Sequence, residues 1–325
     1  MKHPERNTLR RPIGKLPLFP TPYPGESLYS ILCRYHVRIG NASAWYTAGQ
    51  LFGYNSSLGS TLLSPYHLDK VRFWFAPGTP VTAELLMQYH TAFPLYALTA
   101  WRDDLLRMRR MISGETRSTT YPRWVQSRLV HQSGFLRYCP ECYAVQKKLY
   151  GEGYWQILPQ VDGVEYCPVH GTRIRDSRVP QKSIRHMFIP ASEALEIPSY
   201  AAQSMEEARR TEHSGEEKEF FILLARGMDW LQQNGSSYEG CQVLYGNYNK
   251  LLENENGTFY PTISIKKLRE FLVPHLGEAS FQKYTMIKLH PLLTDRAIFL
   301  YSFPLCVHVM LMIVLSGSPE LFYAQ

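Results

Sequence analysis

The chain has 325 residues, of which 45% are hydrophobic and 13% are aromatic. A chain of this length and composition can bury a sizeable core, which excludes a globally disordered protein. Its formal net charge of +7 and pI of about 9.0 fit a polyanionic partner such as nucleic acid but do not prove one.

The opening of the chain predicts a basic arm and then a first helix. Residues 1–15 are rich in lysine and arginine, and the prolines of residues 17–24 exclude a helix there. Glu26 or Ser27 can cap a helix whose end is marked by Gly40 and Asn41. The apolar positions of this helix recur at helical spacing, and they are Leu28, Ile31, Leu32 and Tyr35.

A second short helix is predicted between Ser43 and Gly53, and the pair is compatible with a helix-turn-helix. Its apolar positions are Trp45, Ala48, Leu51 and Phe52. If it enters a major groove, the side chains that can reach base edges are Ser43, Tyr46, Thr47 and Gln50. An ordinary core-forming helix pair has the same spacing, so both interpretations stay open.

The middle of the chain is basic. Residues 81–112 have a helical pattern that is interrupted at Pro94, and residues 113–120 predict a loop. Arginine and lysine outnumber acidic residues from Arg102 to Lys148, which favours a face for a polyanion. Ordinary surface charge is the alternative.

The C-terminal half begins with an acidic stretch, from Glu193 to Glu219, that predicts a solvated connector. Further helices are predicted at 220–231, 243–252 and 264–276. Residues 297–317 contain no charged side chain. A membrane anchor, a buried core helix and a truncated or frame-shifted end each explain this apolar run, and abnormal termination is the interpretation favoured from sequence.

Three of the six cysteines belong to one repeated pattern. Cys139 and Cys142 form C-P-x-C, and Cys167 and His170 form C-P-x-H. Each short pair places two metal-binding atoms on one tight turn, and two such turns supply the four ligands that zinc prefers. The sequence therefore predicts one structural Zn²⁺. Two unrelated buried pairs and a thioredoxin-like redox pair explain the repetition less well.

Four protein ligands leave no open position for water, so the pattern favours a structural site and a protein that is not an enzyme. The first 15 residues lack the apolar core of a signal peptide, which predicts a cytoplasmic, nucleoid-associated protein with reduced cysteines. No pattern indicates a small-molecule substrate.

The chain resembles the TnsD/TniQ family of transposon target-selection proteins, over about residues 16–295. The resemblance is carried by LPLFPTPYPGESLYSILCRYHVRIG, by YHTAFPLYA and, most specifically, by RYCPECYAVQKKLYGEGYWQILPQVDGVEYCPVHG. Two further segments, FLVPHLG and KLHPLL, resemble a TnsD-type C-terminal region more weakly. TnsD proteins usually continue further, so the resemblance implies a C-terminally truncated member.

The resemblance implies a protein that binds double-stranded DNA at an attachment site and recruits the AAA+ regulator TnsC, which engages the TnsA/TnsB transposase. The alternative is a TniQ-type adaptor that links an RNA-guided surveillance complex to TnsC and binds DNA only weakly. A membrane-tethered zinc protein, which rests only on residues 297–317, is less favoured than either. The family's zinc ligands carry over onto Cys139, Cys142, Cys167 and His170.

We expect a mainly α fold, with helix-turn-helix type helices, an inserted zinc-binding module and short strands only around the zinc. The predicted units are a basic arm (1–15), an N-terminal TniQ-like domain (16–120), a zinc module (121–190), an acidic linker or helix (191–219) and a partial C-terminal helical domain (220–325). The predicted DNA contacts are Arg34, Arg38, Tyr46, Gln50, Arg123, Arg128, Arg137, Lys147, Lys148, Arg173 and Arg175.

Overall fold

A computed structural model describes residues 16–53, 62–63, 68–75, 78–112, 115, 134–181, 183–196, 213, 215–252, 261–285 and 297–325. The predicted basic arm, Arg123 and Arg128 lie outside these residues.

Across the described ranges the protein is mostly helical, which confirms the predicted mainly α class. The helices are α1 (Leu28–Ile39), α2 (Ala44–Phe52), α3 (Val71–Trp74), α4 (Ala83–His90), α5 (Phe93–Ala97), α6 (Arg102–Ile112), α7 (Pro140–Tyr150), α8 (Ala191–Glu196), α9 (Gly215–Asn234), α10 (Cys241–Leu251), α11 (Ile265–Thr285), α12 (Leu305–Ser316) and α13 (Pro319–Tyr323).

Two antiparallel ribbons accompany the helices. One pairs β1 (Phe135–Tyr138) with β2 (Arg175–Pro180). These strands precede and follow the two pairs of candidate metal ligands in the sequence, as predicted. The other pairs β3 (Thr262–Ser264) with β4 (Ala297–Phe299) and contains no ligand candidate, so the prediction of strands only around the zinc was wrong.

The first two helices begin and end at the predicted residues because their capping signals are local. The hydroxyl of Ser27 accepts a hydrogen bond from the backbone N–H of Ser30 at 3.2 Å, and Ser43 accepts one from Tyr46 at 3.4 Å. Gly40 ends α1 in the left-handed conformation, with φ of 66°, which glycine adopts without steric strain.

The solvent-facing side of α2 differs from the predicted pattern. Trp45, predicted as an apolar core position, is 62% exposed. Thr47, predicted to face a groove, is buried, and its hydroxyl lies 2.8 Å from His36 Nδ1 and accepts a hydrogen bond from Asn41 at 3.0 Å. Tyr46 remains exposed.

The N-terminal and C-terminal helices share one hydrophobic core, which contains side chains from Leu28 to Tyr323. Helix α9 packs against α5. The backbone N–H groups of Gly240 and Cys241 donate to the carbonyls of Ala97 and Ala100 at 2.8 and 2.9 Å. The parts predicted as separate helical domains are therefore in direct contact.

Gly235, directly after α9, lies close to the backbone of Pro94 in α5. A Cβ atom at this position would lie 2.7 Å from the backbone oxygen of Pro94, too close for a real contact. We expect Gly235→Ala to lower the free energy of unfolding by about 1–3 kcal/mol, because the two backbones must separate. Urea unfolding followed by tryptophan fluorescence measures this change.

Gly246 provides the matched control, because it lies within α10 and a Cβ there would meet no atom within 4 Å. Gly246→Ala should be neutral or stabilising by up to about 1 kcal/mol, since alanine favours the helix. Equal destabilisation by the two substitutions would contradict the proposed close approach.

The apolar run at residues 297–317 is part of this core. Its helix α12 is buried from Leu305 to Ile313 and packs against α9, α11 and α13. Its histidine, His308, lies inside the core beside the hydroxyl of Tyr248. Burial in the protein accounts for the apolar composition of this helix. Within the described residues, no helix has both the length and the apolarity needed to cross a membrane.

Candidate metal centre

The four predicted ligands lie on two turns of similar local geometry. Cys139 precedes α7 as its N-cap residue, and its Sγ atom accepts a hydrogen bond from the backbone N–H of Cys142 at 3.5 Å. Cys167 Sγ accepts the equivalent bond from the N–H of His170, also at 3.5 Å. Gly171 then turns the chain away with φ of 65°. The repeated sequence pattern thus produces a repeated backbone turn.

The structure brings the four side chains together. Cys142 Sγ lies 3.5 Å from Cys167 Sγ and 3.4 Å from His170 Nδ1. His170 Nδ1 lies 3.8 Å from Cys139 Sγ and 3.5 Å from Cys167 Sγ. In a tetrahedral site with metal–sulfur bonds of about 2.3 Å, neighbouring ligand atoms are about 3.8 Å apart. All four ligand atoms lie within 4.8 Å of one another, so the cluster could hold a metal ion.

The electrostatics of the three thiols also favour a cation. Hydrogen bonds from Cys139 and Cys142 hold the pKa of the Cys167 thiol well below its usual range. The hydrogen bonds that Cys142 makes to Cys139 and Cys167 raise the pKa of Cys142. Protein groups therefore stabilise one thiolate, and a divalent cation at the centre would stabilise all three.

The ligand cluster is separate from the main core, but the segment between its two turns belongs to that core. Cys139, Cys167 and Ile174 form a small buried group of their own. Between the two turns, Trp155 is fully buried in the main core, and its indole N–H donates to the carbonyl of Ile189 at 2.8 Å. The metal turns thus project from a segment whose centre is fixed independently of them.

Comparison of the sequence with known proteins finds matches that include the candidate metal ligands. Residues 17–174, which include all four candidate ligands, match the TniQ family model. Over 188 residues the chain is 28% identical to the Transposon Tn7 transposition protein TnsD of Escherichia coli. Residues 17–174 are a TniQ domain. The aligned region covers 58% of this chain and 37% of the Tn7 protein, so the chain spans little more than a third of that relative.

Two of the arginines predicted to contact DNA lie inside the protein and cannot reach a phosphate. Arg34 is 4% exposed, and its guanidinium forms an ion pair with Glu26 at 2.8 Å. Arg137 is completely buried, and it donates to the carbonyl of Val161 at 2.8 Å. These two positions are therefore removed from the predicted DNA contacts.

The other described candidates are at least partly accessible. Arg38, Tyr46, Lys148 and Arg175 are exposed, whereas Gln50, Lys147 and Arg173 are half-buried. Lys147 is also paired with Glu196 at 2.6 Å. The exposed basic and aromatic side chains stand on four different elements, namely α1, α2, α7 and β2.

Sequence reasoning missed the buried charge cluster around Arg34. Its Nε donates to Glu152 at 2.9 Å, and its guanidinium lies 3.7 Å from the ring centre of Tyr23. Since Glu152 follows α7, this cluster fixes the metal-bearing helix against α1. Burial raises the pKa of Glu26 to about 7, although Arg34 acts in the opposite direction. The only sequence signal is the acidic residue before α1, and the same residue is compatible with a helix cap.

Proposed function

We propose that this protein is a targeting adaptor that selects the insertion site of a cut-and-paste transposon. It binds duplex DNA at the site and recruits a TnsC-like AAA+ ATPase, which then engages a TnsA/TnsB transposase. The observation that carries this proposal is the TniQ match over residues 17–174, which contains the assembled ligand cluster. The likeness to a transposition protein of Tn7 supports the same function.

The proposed metal is one structural Zn²⁺. Three cysteine sulfurs and one histidine nitrogen are the donor set of structural zinc sites, and their spacing fits tetrahedral coordination. Four protein ligands fill that coordination, so the ion would stabilise the fold and leave no position for a reacting water. This closed donor set supports a targeting role in place of an enzymatic one.

The proposed DNA surface has two kinds of contact. Arg38, Lys148 and Arg175 carry exposed positive charges that suit phosphates. Tyr46 and Gln50 lie on α2, where the side chains of a helix in the major groove would reach base edges. The first set would supply affinity and the second would supply sequence preference.

A salt titration tests the phosphate contacts. If about six phosphates are neutralised, the logarithm of the association constant should fall with the logarithm of salt concentration with a slope near −5. The triple variant Arg38→Ala, Lys148→Ala, Arg175→Ala should make this slope shallower by about one unit per lost contact. Fluorescence anisotropy of a labelled duplex measures both slopes.

The charge control is Lys250→Ala on α10, which removes an exposed lysine outside the proposed surface. It should leave the slope unchanged. Tyr46→Ala and Gln50→Ala should instead weaken binding to duplexes selected from a random pool, with the salt slope retained. A protein that shows no duplex preference and co-purifies with an RNA–protein complex would contradict direct site selection.

A further inference from the structure

A groove of about 840 Å³ runs beside the metal ligands. Its walls come from residues 21–25, from α4, from the two cysteine turns and from α9. Most of the lining is apolar, with prolines and aliphatic side chains that include Pro22, Leu85, Ile157, Val164 and Val169. Tyr89 stands in the lining with 57% of its surface exposed. Such a surface is suited to a partner with apolar side chains.

Several polar side chains of this groove contain hydrogen-bond acceptors. Gln232 is 8% exposed, and its amide N–H donates to the carbonyl of Thr91 at 2.9 Å. Its Oε1 atom is buried and has no hydrogen-bond partner. A buried acceptor without a partner costs free energy.

Asp229 and His90 are two further side chains of the lining that contain acceptor atoms. The carboxylate of Asp229 accepts one bond from Gln233 at 3.0 Å, and burial raises the Asp229 pKa. His90 Nδ1 lies 2.8 Å from the carbonyl oxygen of Glu26, so it carries the proton and leaves Nε2 as an acceptor. The described lining contains neither lysine nor arginine. The described lining therefore has a carboxylate and no strongly basic side chain of its own.

We propose that this groove docks a peptide segment of a protein partner, with apolar side chains along the walls and a lysine or arginine paired with Asp229. The negative charge and apolar walls disfavour a nucleic-acid backbone. This inference deepens the proposed function, since it rests on the recruitment of a protein partner and specifies the chemistry of the recruited segment.

The metal ligands give the docking event a second readout. Cys139, Cys142 and Cys167 all line the groove, and Cys142 is only partly buried, so a docked segment would restrict access to the ion from the groove. With zinc bound, a peptide in the groove should slow removal of the ion by a chelator. A peptide that binds elsewhere on the surface would leave this rate unchanged.

Selection from a random peptide display library against the zinc-loaded full chain tests the proposal. Enriched peptides should combine apolar residues with at least one lysine or arginine, and they should slow zinc removal by a chelator. Asp229→Asn and Tyr89→Ala should each weaken binding at least about tenfold, as expected when a charge pair or an aromatic contact is lost. Asp229→Lys should abolish binding. Fluorescence anisotropy with labelled peptides measures these affinities.

Two matched variants act as controls. Glu219→Gln makes the same carboxylate-to-amide change at an exposed position of α9 outside the groove lining, and Tyr46→Ala removes an exposed tyrosine on α2. Both should bind the peptides as the wild type does. Enriched peptides without basic residues, no enrichment, or affinity unchanged by Asp229→Asn would each overturn the proposal.

The same variants separate this inference from site selection. Asp229→Asn should bind duplex DNA like the wild type, so loss of peptide binding alone tests the groove. Failure of the wild type to bind DNA would overturn direct site selection while leaving the peptide measurements to be judged separately. Concentration-dependent dimerisation that Asp229→Lys abolishes, measured by sedimentation, would identify a second copy as the occupant and overturn the partner-peptide proposal.

Discussion

Cys142→Ser should yield a protein that holds no stoichiometric metal and has lost the ordered structure of its two cysteine turns. The hydroxyl of serine is a far weaker zinc ligand than a thiolate, and three remaining donors leave the site open. In zinc-finger peptides the ion contributes an apparent binding free energy of roughly 10–16 kcal/mol, which is also folding free energy. Metal analysis by atomic emission should give one zinc per wild-type chain and almost none in the variant.

The loss of structure should be local at first. Cys139, Cys167 and Ile174 form their own small cluster, whereas Trp155 and the helices α9 and α12 belong to the main core. Hydrogen exchange should therefore show lost protection in α7 and around Cys167, with protection retained in α9 and α12. A strong chelator added to the wild type should reproduce this pattern.

Cys241→Ser is the control for this experiment, because Cys241 is a buried cysteine that lies on α10 and outside the ligand cluster. It should keep one zinc per chain even if it lowers stability. A wild-type protein that folds fully without metal, with the same protection in α7, would contradict the proposed structural role.

The ligand cluster could be predicted from sequence because its information is local. Each pair of ligands, Cys139 with Cys142 and Cys167 with His170, spans four residues and forms its own turn. The repeated pattern alone therefore indicated four donors around one point. The caps at Ser27 and Ser43 were predictable for the same reason. The start of α9 was placed too late, because the acidic residues before Phe220 are also compatible with a helix that begins at Gly215.

Features that depend on distant contacts could not be obtained this way. Arg137 is buried because its side chain reaches the carbonyl of Val161, and no short-range pattern marks that contact. The charge-free run around α12 has the composition of a membrane span, and only its packing against α9 and α11 shows that it is a core helix. The groove beside the metal combines five separate segments and had no sequence signal.

Arg34→Met should destabilise the protein strongly, by about 3–5 kcal/mol, because it leaves the buried carboxylate of Glu26 without its cation. It also removes the hydrogen bond to Glu152 and the contact with the ring of Tyr23. Urea unfolding followed by tryptophan fluorescence measures the loss. Arg38→Met is the control: this neighbour is 43% exposed and lies 3.7 Å from Glu152, so its removal should cost less than about 1 kcal/mol.

The pH dependence distinguishes a lost charge pair from simple loss of packing. In the wild type, burial raises the pKa of Glu26 from 4.5 to about 7, so the folded state holds a proton that the unfolded chain releases. Stability from this group is therefore fully present below pH 4.5 and is lost as the pH rises towards 7. Without Arg34 the folded pKa rises further, and the decline should continue to higher pH.

The difference in unfolding free energy between Arg34→Met and the wild type should therefore grow above pH 7. Adding Glu26→Gln should recover part of the loss and remove its pH dependence, because the neutral amide does not require the cation. A pH-independent loss that Glu26→Gln does not relieve would instead assign the effect to packing against Tyr23. The charge cluster would then hold α1 against the end of α7 by its shape alone, without the ion pair.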